Sequence, residues 1–353
     1  MAGRPHILVV DRFRPEAAAL RDAASVLRRG SLVAFPTETV YGLGARALDE
    51  SAIARVYAAK GRPVHNPLIA HVLDAAHARE LAARWPEDAA RLAAAFWPGP
   101  LTLVVDRAPR VPGALAGGGS SVAVRAPSHA VARALIEALG EPVAAPSANR
   151  YQGVSPTLAS HVVKELGDAV DLVLDAGPCD AGIESTVVDV RGAVARVLRP
   201  GALDVPSLRE VVPGIQVPRV AAGAAEASAP VPRGSPGLDA RHYSPRTPLE
   251  LTTGAGASRA RAAALAASGA RVGLVCLGSP PGPGAPAGPA LPAGVLLREL
   301  PAVPAAYAEA LYRTLHDLDE SGLDRIVVED VPRDSEAWLA LADRLTKASA
   351  GSP

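Results

Sequence analysis

The stretch DLVLDAGPCDAGIESTVVDVRGAVARVLR, residues 171–199, decides the fold class. It holds the Val- and Leu-rich runs DLVLD (171–175), STVVDV (185–190) and ARVLR (195–199), separated by Gly, Pro, Ser and Asp. Short β-rich runs bounded by turn residues read as strands. No helical pattern lies between them, whereas a parallel pair needs a crossover, usually a helix. The sheet is therefore expected to be mixed, not purely parallel.

Working outward, LVAF (32–35), LIAHV (68–72), LTLVVD (101–106), SVAVRA (121–126) and PVAA (142–145) read as further strands. Between them, 14–30 has helical apolar spacing and ends in Gly30, 49–60 starts on Asp49 and Ser51, 128–140 runs from Ser128 to Gly140, and 157–167 starts on Thr157. Strands and helices interleaved in this way imply an α/β layer fold. From about 204 to 245 the chain is rich in Pro, Gly, Ala and Ser and reads as a linker, although Asp239, Arg241, His242 and Tyr243 cluster near its end. Residues 258–269, 301–322 and 335–349 then read as helices around the strands 271–278 and 324–331, a small three-layer domain. The low-complexity segment 279–294 reads as a mobile loop. The expected division is 1–205, a linker or lid at 206–248, and 249–353.

The 353 residues suit roughly two domains of ~150 residues. With 49% hydrophobic and 20% charged residues the chain can bury a core, and with 3% aromatics that core must be Leu, Val and Ala. Net charge is zero, which argues against a non-specific nucleic-acid or membrane-surface binder. Cys179 and Cys276 lie far apart without metal-type spacing, pointing to a reduced, cytoplasmic protein. No apolar run approaches the ~20 residues of a membrane span, and the start shows no signal-peptide core.

Four segments place polar groups at the ends of apolar runs. In PTETVYGLGA (36–45), Thr37 and Thr39 offer hydroxyls, and Gly42 and Gly44 allow a ligand close to the backbone, though a strand-to-helix turn would look the same. It is neither a dinucleotide fingerprint nor a P-loop. In KGRPVHNPL (60–68), Lys60 and Arg62 suit phosphate or carboxylate and the prolines stiffen the loop; a solvated basic helix end is the alternative. His71 on LIAHV is either a core histidine or a ligand-facing one. His65, His77, His129 and His161 lack metal-ligand spacing. Ser121 and Arg125 share a strand face, and Arg125 is either a carboxylate partner or an edge charge. APSAN (145–149) carries Ser147 and Asn149, and Ser155 with Thr157 follows at a helix start, where either anion binding or simple capping is served. ESTVVD (184–189) and RVLRPG (196–201) look like a hairpin with Ser185, Thr186 and Arg199 at its ends, by itself a surface hairpin.

Read together, these segments resemble the YrdC superfamily in its long, threonylcarbamoyl-AMP synthase form. The pattern is K-x-R followed by N-P-L (Lys60, Arg62, Asn66), P-S-A-N (146–149), E-S-T (184–186), R-P-G (199–201) and S-P-G-x-x-x-R-H-Y-x-P (235–245), all present in order. The resemblance spans nearly the whole chain and is loosest over 249–300. It implies a twisted mixed sheet around a deep basic cavity and a reaction of L-threonine, bicarbonate and ATP to threonylcarbamoyl-AMP and pyrophosphate. A separate transferase complex would then deliver the threonylcarbamoyl group to tRNA. By matched position, Thr37, His71, Arg125, Ala145 (through its backbone) and Ser185 would hold threonine, with Arg125 on its carboxylate. Arg62, Asn66, Ser121, Ser147, Asn149, Ser155 and Arg199 would hold ATP, Lys60 would lie near the phosphates with Arg62 as its catalytic companion, and His242 or Tyr243 would close over the nucleotide. Mg2+ would arrive on ATP, since no carboxylate cage is visible. The loop LAGGGSS (115–121) departs from the family pattern, which weakens the case for Ser121.

Two rivals are a non-catalytic double-stranded RNA-binding module and a carbamoyl-transfer domain acting on carbamoyl phosphate. Zero net charge and few aromatics speak against the first. The lack of zinc-finger or acylphosphatase-like segments speaks against the second. No stable nucleic-acid binding is expected.

Overall fold

The structure is a computed structural model that describes residues 5–218, 241–278 and 291–350. These fall into two compact units, the first comprising 5–151 and 155–218, the second 152–154 with 241–278 and 291–350. The S-P-G of the expected lid (235–237) and most of the expected mobile loop lie outside the described residues.

The first unit runs β1 (His6–Val9), α1 (Ala17–Arg28), β2 (Val33–Phe35), β3 (Gly42–Arg46), α2 (Glu50–Lys60), β4 (Ile69–His71), α3 (Ala75–Arg79), α4 (Glu87–Phe96), β5 (Leu101–Asp106), β6 (Ser121–Arg125), α5 (Ala130–Leu139), β7 (Val143–Ala144), α6 (Ala159–Leu166), β8 (Leu172–Asp175), β9 (Thr186–Asp189), β10 (Arg196–Arg199) and α7 (Val205–Val211). Its ten strands form one sheet in the order β1-β8-β2-β3-β7-β4-β6-β5-β9-β10. The pairs β1–β8, β2–β8, β4–β6 and β5–β9 are parallel, and β2–β3, β3–β7, β4–β7, β5–β6 and β9–β10 antiparallel, so the sheet is mixed as its sequence required.

The segment 171–199 gives that mixture in an unforeseen way. β9 and β10 are the expected hairpin, but β8 lies at the far end of the sheet, between β1 and β2. The connection 176–185 must therefore travel along the sheet. On the way Cys179 N–H donates to Thr157 O, and Ala181 N–H donates to Glu38 O.

Helices cover both faces. Leu20, Ala23, Ala24 and Leu27 of α1 pack with Val131, Leu135 and Ile136 of α5 over Val33, Phe35, Leu172 and Leu174. Leu43, Leu68, Leu103 and Val124 point to the other face, under Ile53 and Val56 of α2, Leu92 of α4 and Val162 of α6. Because side chains alternate across a strand, each strand feeds both layers. Small Ala and Val side chains let helices approach closely, which is how a chain so poor in aromatics fills its core.

Several local readings change. GLGAR (42–46) is strand β3, not a turn, because Gly44 sits where a Cβ would lie 2.7 Å from Phe35 Cε1 and 3.0 Å from Val33 O across the β2–β3 pair. Asp49 caps α2 as expected, accepting from Ser51 N–H and Ala52 N–H. His129, not Ser128, caps α5 through Nδ1. Thr157 does not cap α6, whose N-cap is Leu158 without a side-chain bond. The expected linker start at 206 is folded structure: Asp204 caps α7, Leu208 is fully buried, and Gln216 N–H donates to Ala195 O. The Pro-rich composition concealed a helix that begins with Pro206 near its first position, where a missing N–H costs nothing.

The second unit contains β11 (Leu249–Thr252), α8 (Ala255–Ala267), β12 (Val272–Gly278), β13 (Val295–Pro301), α9 (Pro304–Glu320), β14 (Arg325–Glu329) and α10 (Leu339–Ser349). Its sheet, β11-β14-β12-β13, is wholly parallel. Ala262 of α8 packs on Val272, Leu274, Cys276 and Val327, and the alternate residues Ile326 and Val328, also buried, face the other layer. The sequence reading missed β11 and β13. Both are edge strands with half-exposed residues and charges such as Glu250, Arg298 and Glu299, so neither shows a buried strand's apolar run.

Candidate functional site

The expected site residues of the first unit are drawn from loops that its sheet brings together. Helix α2 ends at Lys60, with Gly61 as a left-handed cap (φ 61°) that turns the chain into the 62–67 loop. Lys60 is buried, and its Nζ donates to Ser147 O at 2.6 Å and to Asn149 O at 2.5 Å. Tyr151 N–H returns a bond to Lys60 O at 2.8 Å. The K-x-R and P-S-A-N segments are thus tied together. Burial, then the charge of Arg62, pushes the Lys60 pKa well below its ordinary value. Lys60 was expected beside phosphates; these bonds make it first of all a clamp on the 147–149 main chain.

Arg62 is likewise buried and turned onto its own loop. Its Nε donates to Asn66 O at 3.0 Å, and its Nη2 donates to Asn66 Oδ1 at 2.5 Å and to Pro67 O at 2.9 Å. Asn66 and Arg62 are therefore bonded to each other within one loop, a contact the sequence reading did not foresee. Gly117 explains the odd LAGGGSS loop. It has φ 60°, and a Cβ there would stand 2.6 Å from His65 O, so the loop before Ser121 packs on the Arg62 loop. Ser121 opens β6 and Arg125 closes it, opposite Asp106 and His71 respectively. Ser121 and Arg125 share a face but sit at opposite ends of that strand.

The E-S-T and R-P-G segments meet at the β9–β10 hairpin. Arg199 Nη2 donates to Ser185 O at 2.9 Å and to Ser185 Oγ at 3.2 Å, and Ser185 Oγ lies 2.8 Å from Thr102 Oγ1. Ser185, Thr186 and Arg199 are buried, so this is not a surface hairpin. Gly201 is required by packing: a Cβ there would lie 2.4 Å from Glu184 O and Ser185 C. Ser155, fully buried, donates to Glu184 Oε1 at 2.5 Å.

The remaining cluster lies where β2, β4 and β6 end. Thr37 Oγ1 donates to Val40 O at 2.7 Å and accepts from Val40 N–H, closing a hydroxyl turn that aims the PTET segment. Ala145 N–H donates to Ile69 O, which fixes P-S-A-N beside β4. His71 is paired in register with Arg125. Burial, then the Arg125 charge, lowers the His71 pKa to about 3, so its ring is neutral. Arg125 does pair with a carboxylate, but one supplied by the chain: its Nη2 lies 2.8 Å from Glu38 Oε1, while Nη1 donates to Thr39 Oγ1 at 2.9 Å. Burial works to raise the Glu38 pKa, and the Arg125 charge outweighs it, holding the carboxyl below its ordinary range.

Sequence reading missed Glu38, Thr102 and Glu184. Glu38 stood between two threonines chosen for their hydroxyls, and Glu184 preceded a serine in a motif read the same way. Thr102 had no local signal, because it meets Ser185 only through β5–β9 pairing.

His242 and Tyr243 belong to the second unit. Tyr243 is buried with φ 60°, stacks on Tyr312 at 5.9 Å, and lies under the Arg344 guanidinium at 4.7 Å. His242 meets its ring edge-on at 4.1 Å. Such a left-handed tyrosine is uncommon and is held here by packing on both faces.

Both cysteines are free and buried. Among the described residues no group of three His, Cys, Asp or Glu could hold a metal ion, and no helix is long and apolar enough to cross a membrane.

Comparison with known proteins agrees with this geometry. Residues 25–201 match the Sua5/YciO/YrdC family model, described as telomere recombination, and residues 204–350 match the model described as threonylcarbamoyl-AMP synthase, C-terminal domain. The chain is 38% identical over 348 residues to a threonylcarbamoyl-AMP synthase of Pyrococcus abyssi, covering 97% of each. It is 36% identical to the Bacillus subtilis protein of the same name, covering 97% of this chain and 96% of that one. The crystal structure of P. abyssi Sua5 complexed with L-threonine superposes with a TM-score of 0.85 at 37% identity, over 97% of both chains. With its motifs in order, its mixed sheet and a relative alike from end to end, the chain belongs to the threonylcarbamoyl-AMP synthase family, in its long two-domain form.

Proposed function

We propose that the protein is a nucleotidyltransferase that joins L-threonine, bicarbonate and ATP to threonylcarbamoyl-AMP and pyrophosphate, in the cytoplasm, for modification of tRNA by a separate transferase complex. The observation that carries this reading is the Lys60 clamp. Two motifs 87 residues apart in sequence are bonded to each other, in a family whose members bear this activity's name.

The threonine amine captures CO2 derived from bicarbonate and loses a proton, giving a carbamate. A carbamate oxygen then attacks the α-phosphorus of ATP, and pyrophosphate leaves. Such a step needs positioning and charge neutralisation more than a protein nucleophile. In this reading the loops of Lys60, Arg62, Asn66, Ser121, Ser147, Asn149, Ser155 and Arg199 hold ATP. Thr37, His71, Arg125, Ala145 and Ser185 hold threonine. The buried guanidinium of Arg62 and the ammonium of Lys60 stabilise negative charge that develops on the phosphates. Mg2+ would enter bound to ATP and neutralise charge on its phosphates.

The test is incubation of the full chain with ATP, bicarbonate and each amino acid in turn, followed by mass analysis of adenylates. Threonylcarbamoyl-AMP should form with L-threonine only when bicarbonate is present. An adenylate formed without bicarbonate would refute this chemistry.

A further inference from the structure

The second unit carries a feature that the proposed reaction leaves unused. Among its described residues, the carboxyl ends of β11, β12 and β14 enclose a cavity of about 670 Å³, lined by that unit alone. Small-molecule sites span roughly 300–1,000 Å³. In open parallel sheets they lie outside the carboxyl ends of strands, where neighbouring strands send their connections to opposite faces. The topology puts such a point here. From β11 to β12 the chain crosses the sheet one way, and from β13 to β14 it crosses the other way. Right-handed crossovers then set α8 and α9 on opposite faces. Helix α10 shares the layer of α9: Trp338 at its start meets Tyr307 edge-on at 5.7 Å, and Arg344 covers Tyr243, which stacks on Tyr312. The adjacent strands β11 and β14 therefore lead to α8 on one face and to α10 on the other.

The lining has a definite chemistry. Leu251, Leu277 and Val331 give apolar walls, while Thr253 and Thr346 add hydroxyls. Glu329 is buried at the end of β14, its Oε2 held by Leu277 N–H at 3.0 Å. Asp330 Oδ2 takes Arg333 Nε at 2.6 Å, and Arg333 Nη2 donates to Thr346 Oγ1 at 3.0 Å. An anion would meet two carboxylates against one guanidinium that is already paired. A cation would have to sit against Arg333. An uncharged ligand that donates hydroxyls meets neither repulsion.

Tyr307 adds an independent sign. Its side chain is fully buried, and its hydroxyl makes no hydrogen bond. Burial, then the nearby charges of Glu329 and Asp330, raises its pKa, so the phenol is neutral and turned toward the strand ends that line the cavity. Buried hydroxyls are nearly always satisfied, by protein or by something bound. A carboxylate offers two acceptor oxygens, which suits a vicinal diol, and acidic residues at strand ends hold ribose in this way. We propose that the crevice between β11 and β14 binds an uncharged ribonucleoside, its base on the apolar walls and its ribose diol on Glu329. This site is additional to the synthesis of threonylcarbamoyl-AMP and does not depend on it.

The test titrates the full chain calorimetrically with adenosine, guanosine, cytidine and uridine in turn. Mg·ATP is saturating and threonine absent, so that the proposed nucleotide site is filled. At least one nucleoside should bind, and its 2′,3′-dideoxy form should bind at least about 10-fold more weakly, the loss of a hydrogen bond to a charged group. E329Q should weaken the ribonucleoside by about the same factor. T253Y, which fills the mouth of the cavity from an exposed position, should abolish binding and locates the site even if E329Q does not fold. No binding of any of the four would overturn the proposal, as would equal binding of the ribo and dideoxy forms, or binding that T253Y leaves intact. Spermidine bound in place of the nucleosides would also overturn it, since the crevice would then be a cation site. Failure of Mg·ATP to bind the wild-type chain is a different failure, that of the function proposed above, and leaves this comparison standing.

Discussion

The first unit buries cations and uses them in two ways. Lys60, Arg62 and Arg199 donate to main-chain carbonyls of Ser147, Asn149, Asn66, Pro67 and Ser185. At Arg125 the cation instead meets the Glu38 carboxylate at 2.8 Å, and its Nε has no hydrogen-bond partner. The first arrangement makes loops rigid and places their charge. The second leaves a donor for a guest. A positioned cation and a receiving cation are thus told apart by where their N–H groups go, not by residue type.

The largest expected effect breaks the first arrangement. K60M removes the donor to two carbonyls at once and should cut threonine-dependent pyrophosphate release by about 100-fold or more. The protein should still unfold cooperatively, with stability lowered by about 1–3 kcal/mol for the carbonyls left unpaired. R62M should have a similar kinetic effect. Normal turnover in either variant would mean that these cations do not organise the reaction.

Next in size, G201A presses a methyl into the Glu184–Ser185 backbone and should lower stability by about 1–3 kcal/mol. It should also raise the KM for threonine, because Ser185 moves with that backbone. Denaturant unfolding and steady-state kinetics on one preparation check both halves. An unchanged KM would separate Ser185 from the amino-acid side.

A separate effect is set by pH. Folded His71 has a pKa of about 3 against an ordinary 6.5, so on acidification the unfolded chain takes up the proton first. The contribution is full above pH 6.5 and declines as pH falls toward 3, by up to about 1.4 kcal/mol per pH unit. H71Q should flatten the stability profile in that window. An identical profile would mean that His71 titrates normally.

How much of this could be read from the chain follows from the range of each signal. Local patterns gave β5 to the residue and the Asp49 cap. The distant position of β8, the Thr102–Ser185 contact and the Glu38–Arg125 pair depend on sheet order, which no short window encodes. Composition misled at 205–211, where a proline that suits a helix start was read as a linker residue.

Arg125 offers the most direct test that the amino acid is received on its side and the nucleotide on the other. R125K keeps a positive charge opposite Glu38, avoiding the roughly 3–5 kcal/mol cost of stranding a buried carboxylate, but loses the planar fork. Separate calorimetric titrations with L-threonine and with Mg·ATP should show threonine affinity falling by about 30-fold while ATP affinity stays within about threefold. Unchanged threonine affinity, or an equal loss of both ligands, would contradict the account.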